Sequence, residues 1–467
     1  MIELSLEEIA TVTGGRLVGP DARITGPVVT DSRECAAGSL YVARVGEHAD
    51  GHDFVPAALA VGAAGVLGER AVDGASCVVV DDVELAFAEV ARAVVDRAPN
   101  LQIVGITGSS GKTSTKDLLA AVLAPLGPVV APPGSFNNEL GHPWTALRAD
   151  RTTKFLVLEL SARGPGHIAA LTRIAPPRIG VVLNVGTAHL GEFGSREVIA
   201  ETKGELAEAL PSSGVAVLNA DDPLVAAMAD RASARVVFVG QDSRAHVRAT
   251  EVRLDDQARA SFTLVTDAGS VPVTLAVHGE HQVGNALSAA AVAIECGADL
   301  ATVAAALGGA TAASARRMDV TTRADGVTVV NDSYNANPDS VKAALKALVS
   351  MARSDAAHPR RSWAVLGEMG ELGPESVLEH DAIGRLAVRL DVTRLVVVGT
   401  GRPSHAMHQG AVMEGSWGEE SVLVPDIAAA LELLDDEVQP GDLVLVKASK
   451  AIGLWAVADH LLAQEAT

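Results

Sequence analysis

Short apolar runs recur along the chain, most of them followed by a segment with helical periodicity. Leu101 to Ile106 reads as a buried strand, a Gly/Ser turn follows, and then a helix carries Leu118, Leu119 and Val122 on one face. Phe155-Leu156-Val157-Leu158, Ile179 to Leu183, Val215 to Leu218 and Val236 to Val239 are almost wholly apolar. Strands of that kind are buried on both faces, as in a parallel sheet covered by helices. From about 246 to 278 the texture turns to alternation, as in Ser261-Phe262-Thr263-Leu264-Val265, which predicts an antiparallel patch. A helix is expected from about Gly284 to Glu295, stopping at Gly297.

Two smaller α/β units flank this central one. In residues 1 to 98, Leu4 to Ala10 predicts a capped opening helix, and the strands are Leu40 to Ala43, Gly65 to Leu67 and Cys77 to Val80. Phe54 to Val61 and Glu84 to Val95 are expected helices, and Asp96 to Asn100 a linker. Ala310 to Ala315 reads as a second linker. Beyond it Val327 to Val330, Trp363 to Leu366, Leu395 to Val398 and Leu443 to Val446 are expected to complete the strands, with helices from Pro338 and around Ala382 to Leu390. The division expected is therefore 1–98, 99–312 and 313–467.

Length alone favours several domains: 467 residues exceed one ordinary core. A hydrophobic fraction of 48% excludes a disordered chain. The net charge of −21 argues against nucleic acid and requires any phosphate site to be built locally. No apolar run is long enough to span a bilayer, the first residues lack a signal-peptide pattern, and Cys35, Cys77 and Cys296 form neither a metal spacing nor a disulfide framework. A cytoplasmic monomer is the expectation.

Chemistry gathers first at Gly105-Ile106-Thr107-Gly108-Ser109-Ser110-Gly111-Lys112-Thr113-Ser114. A glycine-rich loop between strand and helix lets backbone amides surround phosphate oxygens at the positive end of the helix. Lys112 would reach the β- and γ-phosphates, and Thr113 would face a magnesium ion. The strict spacing wants glycine at 106, so the loop is a variant. In an open parallel sheet ligands bind at the carboxyl ends of strands. Glu159 ends the next strand, where a carboxylate could hold magnesium or be an ordinary solvated strand end. Asn184 ends another, with His189 beyond it; alone, His189 reads as a satisfied loop histidine. Lys203, on an expected helix, alone reads as a surface lysine. Asn331 to Pro338 directly follows a buried strand and contains Tyr334, one of two tyrosines; it could also be an Asx-rich turn capping a helix.

Together these residues resemble the Mur ligases. The loop at 105–113, Glu159, Asn184 to His189 and Lys203 stand in that family's order. Asn137-Asn138-Glu139-Leu140-Gly141, Asn331 to Pro338, Leu366 to Gly373 and Lys447 to Lys450 resemble the branch that joins D-alanyl-D-alanine to UDP-N-acetylmuramoyl-tripeptide. Asp31-Ser32-Arg33 with Asp50 to Phe54 resembles that branch's UDP-binding domain. The resemblance implies an α/β protein of three domains: a UDP-sugar-peptide domain, a central P-loop domain with a parallel sheet that binds ATP, and a Rossmann-like domain for the incoming dipeptide.

It also implies an ATP- and Mg2+-dependent peptide ligase of peptidoglycan precursor synthesis, working through an acyl phosphate. Gly108, Ser109, Ser110, Gly111, Lys112, Thr113 and Ser114 would cradle the nucleotide phosphates. Asn285 would touch adenine, Asp332 ribose, and Arg317 would reach in from the third domain. Thr113, Glu159, His189 and a carbamylated Lys203 would hold magnesium, with Lys112, Lys203 and His189 carrying catalysis. Ser32, Arg33, Asn137, Asn138, Tyr334, Asn335 and Asn337 would contact the other substrates. Gln282 departs from the asparagine usual there. The rival readings are another Mur-type amino-acid ligase and a nucleotide-binding module without catalysis.

Overall fold

A computed structural model describes residues 1–187, 190–415 and 420–464. His189 therefore lies outside the described residues. Within them the strands form three large sheets and one two-stranded ribbon. The first sheet has five strands, ordered Arg16–Val18, Cys77–Val79, Gly65–Gly68, Leu40–Ala43 and Val28–Val29, parallel except for the first. The opening helix, Leu6–Val12, starts at a capping box in which Ser5 and Glu8 satisfy each other's backbone amides.

The central sheet has nine strands. Its order is Gly269–His278, Arg259–Thr266, Val247–Leu254, Arg235–Gly240, Val215–Asn219, Ile179–Val182, Gln102–Thr107, Phe155–Glu159 and Val129–Val130. The expected antiparallel patch is continuous with this sheet. Its first strand pairs parallel with Arg235–Gly240, and only the next two run antiparallel. Gln102–Thr107 lies between Phe155–Glu159 and Ile179–Val182, so the chain reverses its direction of sheet growth there. That reversal opens a crevice at the carboxyl ends.

The third sheet is ordered Asp319–Thr322, Thr328–Asn331, Leu443–Lys447, Ser362–Leu366, Arg394–Val398 and Ser421–Val424, all parallel except the first pair. Asp319–Thr322 and Ser421–Val424 correct the expectation that four strands complete this unit. Both are edge strands, where one flank is unpaired and the apolar pattern is weak. The helix expected around Ala382 begins earlier and spans Ser376–Arg389.

The cores do not divide evenly. One cluster runs from Ile2, Leu4 and Phe87 of the first unit into Ile103, Leu156 and Leu158 of the central sheet, so these two units share a core. The third unit keeps its own two clusters, to which the central unit adds only Ala258.

Candidate active site

The phosphate-type loop connects strand Gln102–Thr107 to helix Lys112–Leu123. Gly111 is the N-cap, with φ +83, and a Cβ there would lie 2.7 Å from Asn285 Oδ1. Glycine is thus required both by the left-handed backbone and by the close approach of Asn285. Asn285 faces this loop and donates to Gln282 Oε1 at 2.9 Å, so the departing glutamine partners the asparagine it precedes. Ser109 and Ser110 are braced from the neighbouring strand end. Ser109 N donates to Asn184 O (3.2 Å), Ser110 N to Asn184 Oδ1 (3.0 Å), and Gly186 N to Ser109 Oγ (2.9 Å).

Lys112 folds over its own loop and donates to Gly108 O at 2.6 Å. Burial depresses its pKa; the Glu159 carboxylate opposes that effect and Arg317 adds to it. Glu159 is fully buried at the adjacent strand end. Its Oε2 accepts from Thr113 Oγ1, Ser135 Oγ and Asn137 Nδ2, each at 3.3 Å. Its Oε1 is buried with no partner among the described residues. Burial raises this carboxyl's pKa, opposed by Lys112, Lys116 and Arg317. An unpartnered carboxylate oxygen beside a threonine hydroxyl suits a hard cation such as Mg2+. The two could hold that ion, which would neutralise phosphate charge.

Lys203 is no surface lysine. It sits 5% exposed on helix Arg196–Glu208. Burial, and then the Lys112 charge, hold its amine well below the usual lysine range.

The third unit supplies the opposite wall. Arg317 Nη2 reaches Thr113 Oγ1 at 3.3 Å while its guanidinium lies 4.0 Å over the Tyr334 ring. Asp332 pairs with Lys447 at 2.6 Å and accepts from Met318 N, and Lys447 also donates to Asn335 O. Asn337 caps helix Pro338–Ala352 and directs Nδ2 toward Ser109 O at 3.5 Å. The Asn331, Gly367 and Lys447 stretches hang from three neighbouring strand ends of one sheet.

A cavity of about 1310 Å³ joins these parts. Ser109 to Ser114, Asn137, Asn138, Asn285, Arg317, Asp332, Tyr334, Asn335 and Asn337 all border it. From the first unit the border includes Thr30, Asp31 and Glu34 but not Ser32 or Arg33. Arg33 is exposed and bonds to Asp31, holding that carboxyl near pKa 2. Asn138 is committed locally, accepting from Gly141 N at 2.9 Å.

Sequence reasoning passed over Lys116 and Asp117. They form a buried 2.6 Å ion pair that also binds Ser314 of the linker and Pro132 O. The signal was a Lys-Asp pair one turn into the helix, on its apolar face.

Three family models match in series: Mur ligase family, catalytic domain, over 27–109; Mur ligase middle domain over 106–293; and Mur ligase, glutamate ligase domain, over 316–450. The chain belongs to the Mur ligase family. Among its relatives, the UDP-N-acetylmuramoyl-tripeptide--D-alanyl-D-alanine ligase of Mycobacterium tuberculosis (strain ATCC 25618 / H37Rv) is 57% identical, covering 100% of this chain and 99% of its own. The enzyme of that name from Escherichia coli (strain K12) is 34% identical over 98% of each. Among solved Mur ligases, MurF from Acinetobacter baumannii superposes with a TM-score of 0.87 at 30% identity, covering 98% of this chain and 99% of its own. MurF from Thermotoga maritima in complex with ADP gives 0.80 at 29%, covering 93% and 97%.

Proposed function

We infer that this Mur ligase joins D-alanyl-D-alanine to UDP-N-acetylmuramoyl-tripeptide at the expense of ATP, in peptidoglycan precursor synthesis. The observation that carries the reading is the single cavity bordered by the phosphate loop, the Asp31–Glu34 turn and the Tyr334 loop, in a chain 57% identical throughout to a ligase of that name. Residues 1–98 then hold the UDP-sugar peptide, 99–312 ATP, and 313–467 the dipeptide and part of the nucleotide.

A carboxylate is a poor acylating agent, so its oxygen first attacks the γ-phosphorus and ADP leaves. The dipeptide amine then attacks the acyl carbon, loses a proton, and expels phosphate. The first step brings two anions together. Lys112 and Arg317 converge on the phosphate loop and offset that charge, and positioning does most of the remainder. Thr113 and Glu159 would hold Mg2+, together with His189 and a carbamylated Lys203, and the ion would neutralise phosphate charge. Closure of the third unit over the cleft keeps water from the acyl phosphate. No described helix is long and apolar enough to cross a membrane. A monomer working in the cytoplasm, where ATP is available, is part of this reading.

The test is phosphate release and product formation with D-alanyl-D-alanine against single amino acids, using tripeptides ending in lysine and in diaminopimelate. Turnover with the dipeptide alone is expected. Turnover only with a single amino acid would refute the acceptor assignment, and none with any acceptor would leave a nucleotide-binding module.

A further inference from the structure

Several of the contacts between the third unit and the central one are polar, and one lies beside the phosphate loop, at the border of the same cavity. Asn184 and Gly186 brace Ser109 and Ser110. The next amide along, Thr187 N, donates to Asp339 Oδ2 at 3.1 Å, and Asp339 itself borders the cavity. Asp339 is the second residue of helix Pro338–Ala352 in the third unit. The helix does not depend on it for its cap, because Asn337 and Ser340 form the capping box. Gly186 makes the approach possible. A Cβ on it would stand 2.0 Å from Asp339 Oδ2, although its backbone does not have a positive φ. Glycine there leaves room for the carboxylate in its present position, a steric requirement and not one of backbone conformation.

A second contact repeats the design. Gly191 N donates to Glu371 O at 3.2 Å, and a Cβ on Gly191 would be 2.5 Å from Gly373 N. Among the described residues, the third unit thus meets the chain at Gly186–Thr187 and at Gly191 through backbone groups and the Asp339 carboxylate, with glycine at each close approach.

We propose that Asp339 is a positioning residue: by accepting from Thr187 beside Gly186 it fixes the third unit against the segment that braces the phosphate loop. This rests on the ligase reading, in which Arg317 and Tyr334 must meet the loop in register. A carboxylate accepting a backbone amide makes a strong, directional bond. Small misplacement of groups around a phosphoryl transfer is costly, so its loss acts on kcat.

The experiment compares Asp339→Ala, Asp339→Asn, Gly186→Ala and the Asp339→Ala/Gly186→Ala pair in the full chain. Steady-state ligation, ATP affinity by calorimetry, and hydrogen exchange of the peptide around Thr187 are measured. Asp339→Ala should lower kcat about tenfold or more, with ATP affinity within about twofold of the parent, and speed exchange at Thr187. Asp339→Asn keeps an acceptor oxygen and should recover most of the rate. Gly186→Ala lies outside the Asp339 helix, so a merely weakened helix cannot explain its effect. It should displace the carboxylate, reproduce the loss, and add little to Asp339→Ala. Parental kcat in Asp339→Ala, additive losses in the pair, or an effect confined to ATP affinity would each overturn the proposal. Absence of ligation by the parent would instead refute the ligase reading, while the exchange result would still judge the docking contact. If Asp339→Ala does not fold, Gly186→Ala and Asp339→Asn decide.

Discussion

Replacing Lys203 by methionine should stabilise the protein and abolish ligation at once. The amine is nearly buried on helix Arg196–Glu208 and makes no hydrogen bond or ion pair with the described residues. Burial and the neighbouring Lys112 depress its pKa well below the ordinary lysine value. Between that depressed value and the usual lysine range, folding releases a proton that the unfolded chain keeps. That cost grows as pH falls from the usual lysine range toward the depressed value, and it is present at pH 7–8. Methionine fills the space of the stem and removes an ammonium that burial disfavours, so the fold should gain stability. The neutral amine is also the form that can add CO2: an N–C bond forms, a proton leaves, and a carbamate with two hard oxygens results. Losing that group should cost about a hundredfold or more in turnover. Lys203→Ala should be equally inactive, but acetate or formate can enter the vacated space and restore part of the rate. Lys203→Arg keeps its charge, cannot form the carbamate, and should neither ligate nor fold as stably. The assays are urea unfolding and phosphate release, with and without carboxylate at fixed ionic strength. A methionine variant less stable than the parent would refute the unpaired-amine argument. A methionine or arginine variant turning over at the parental rate would refute the carbamate.

Other outcomes follow from the same geometry. Lys112→Ala should reduce turnover about a hundredfold or more at saturating ATP while leaving the melting temperature near that of the parent, because the side chain arches over a loop and fills no core; equal turnover would remove Lys112 from the phosphate site. Asp117→Ala leaves Lys116 buried without its ion partner and should destabilise by about 3–5 kcal/mol, read from urea unfolding. A chain ending at Ala310 should fold, bind ATP weakly by calorimetry and form no peptide bond, since it lacks Arg317 and the Tyr334 loop; ligation at the full-length rate would refute the division of labour.

The strands that the sequence revealed are those with neighbours on both sides. Phe155–Glu159 and Leu443–Lys447 are buried throughout, and their apolar runs are continuous. Among those that escaped notice, Arg16–Val18, Val129–Val130, Asp319–Thr322 and Ser421–Val424 are edge strands. They are short and partly exposed, so burial does not impose a pattern on them. At the site, glycine spacing exposed the phosphate loop because the backbone itself binds there. Lys203 could not be recognised as buried, because its helix has charged residues on most of its turns and gives a lysine no distinctive context. Lys116 was hidden for the opposite reason: its partners are Asp117, Pro132 and Ser314, and the last is nearly 200 positions away. Asp332 carries a second lesson. The family resemblance implies a ribose contact for it, and in the structure Lys447 and the Met318 amide already engage its carboxylate.

The distribution of apolar contacts decides which parts of the molecule move easily. Opening the cleft on the side of the first unit would pull Phe87 and Leu4 away from Leu156 and Leu158, exposing a shared core. Each large side chain so exposed costs about 1.5–3 kcal/mol, and the cluster contains many. Opening on the side of the third unit separates Arg317 from Thr113, Asp339 from Thr187 and Glu371 O from Gly191, all polar contacts that water can replace. The clusters of the third unit remain intact through such a motion, apart from the contact with Ala258. Among the described residues the exception is the buried Lys116–Asp117 pair, whose bonds to Ser314 are too costly to break and lie at the start of the third unit. A polar, releasable face combined with one fixed point at Ser314 is the construction of a hinge. The third unit can therefore swing away to admit a large nucleotide-linked peptide and a dipeptide, then return Arg317 and Tyr334 to the phosphate loop without unfolding anything.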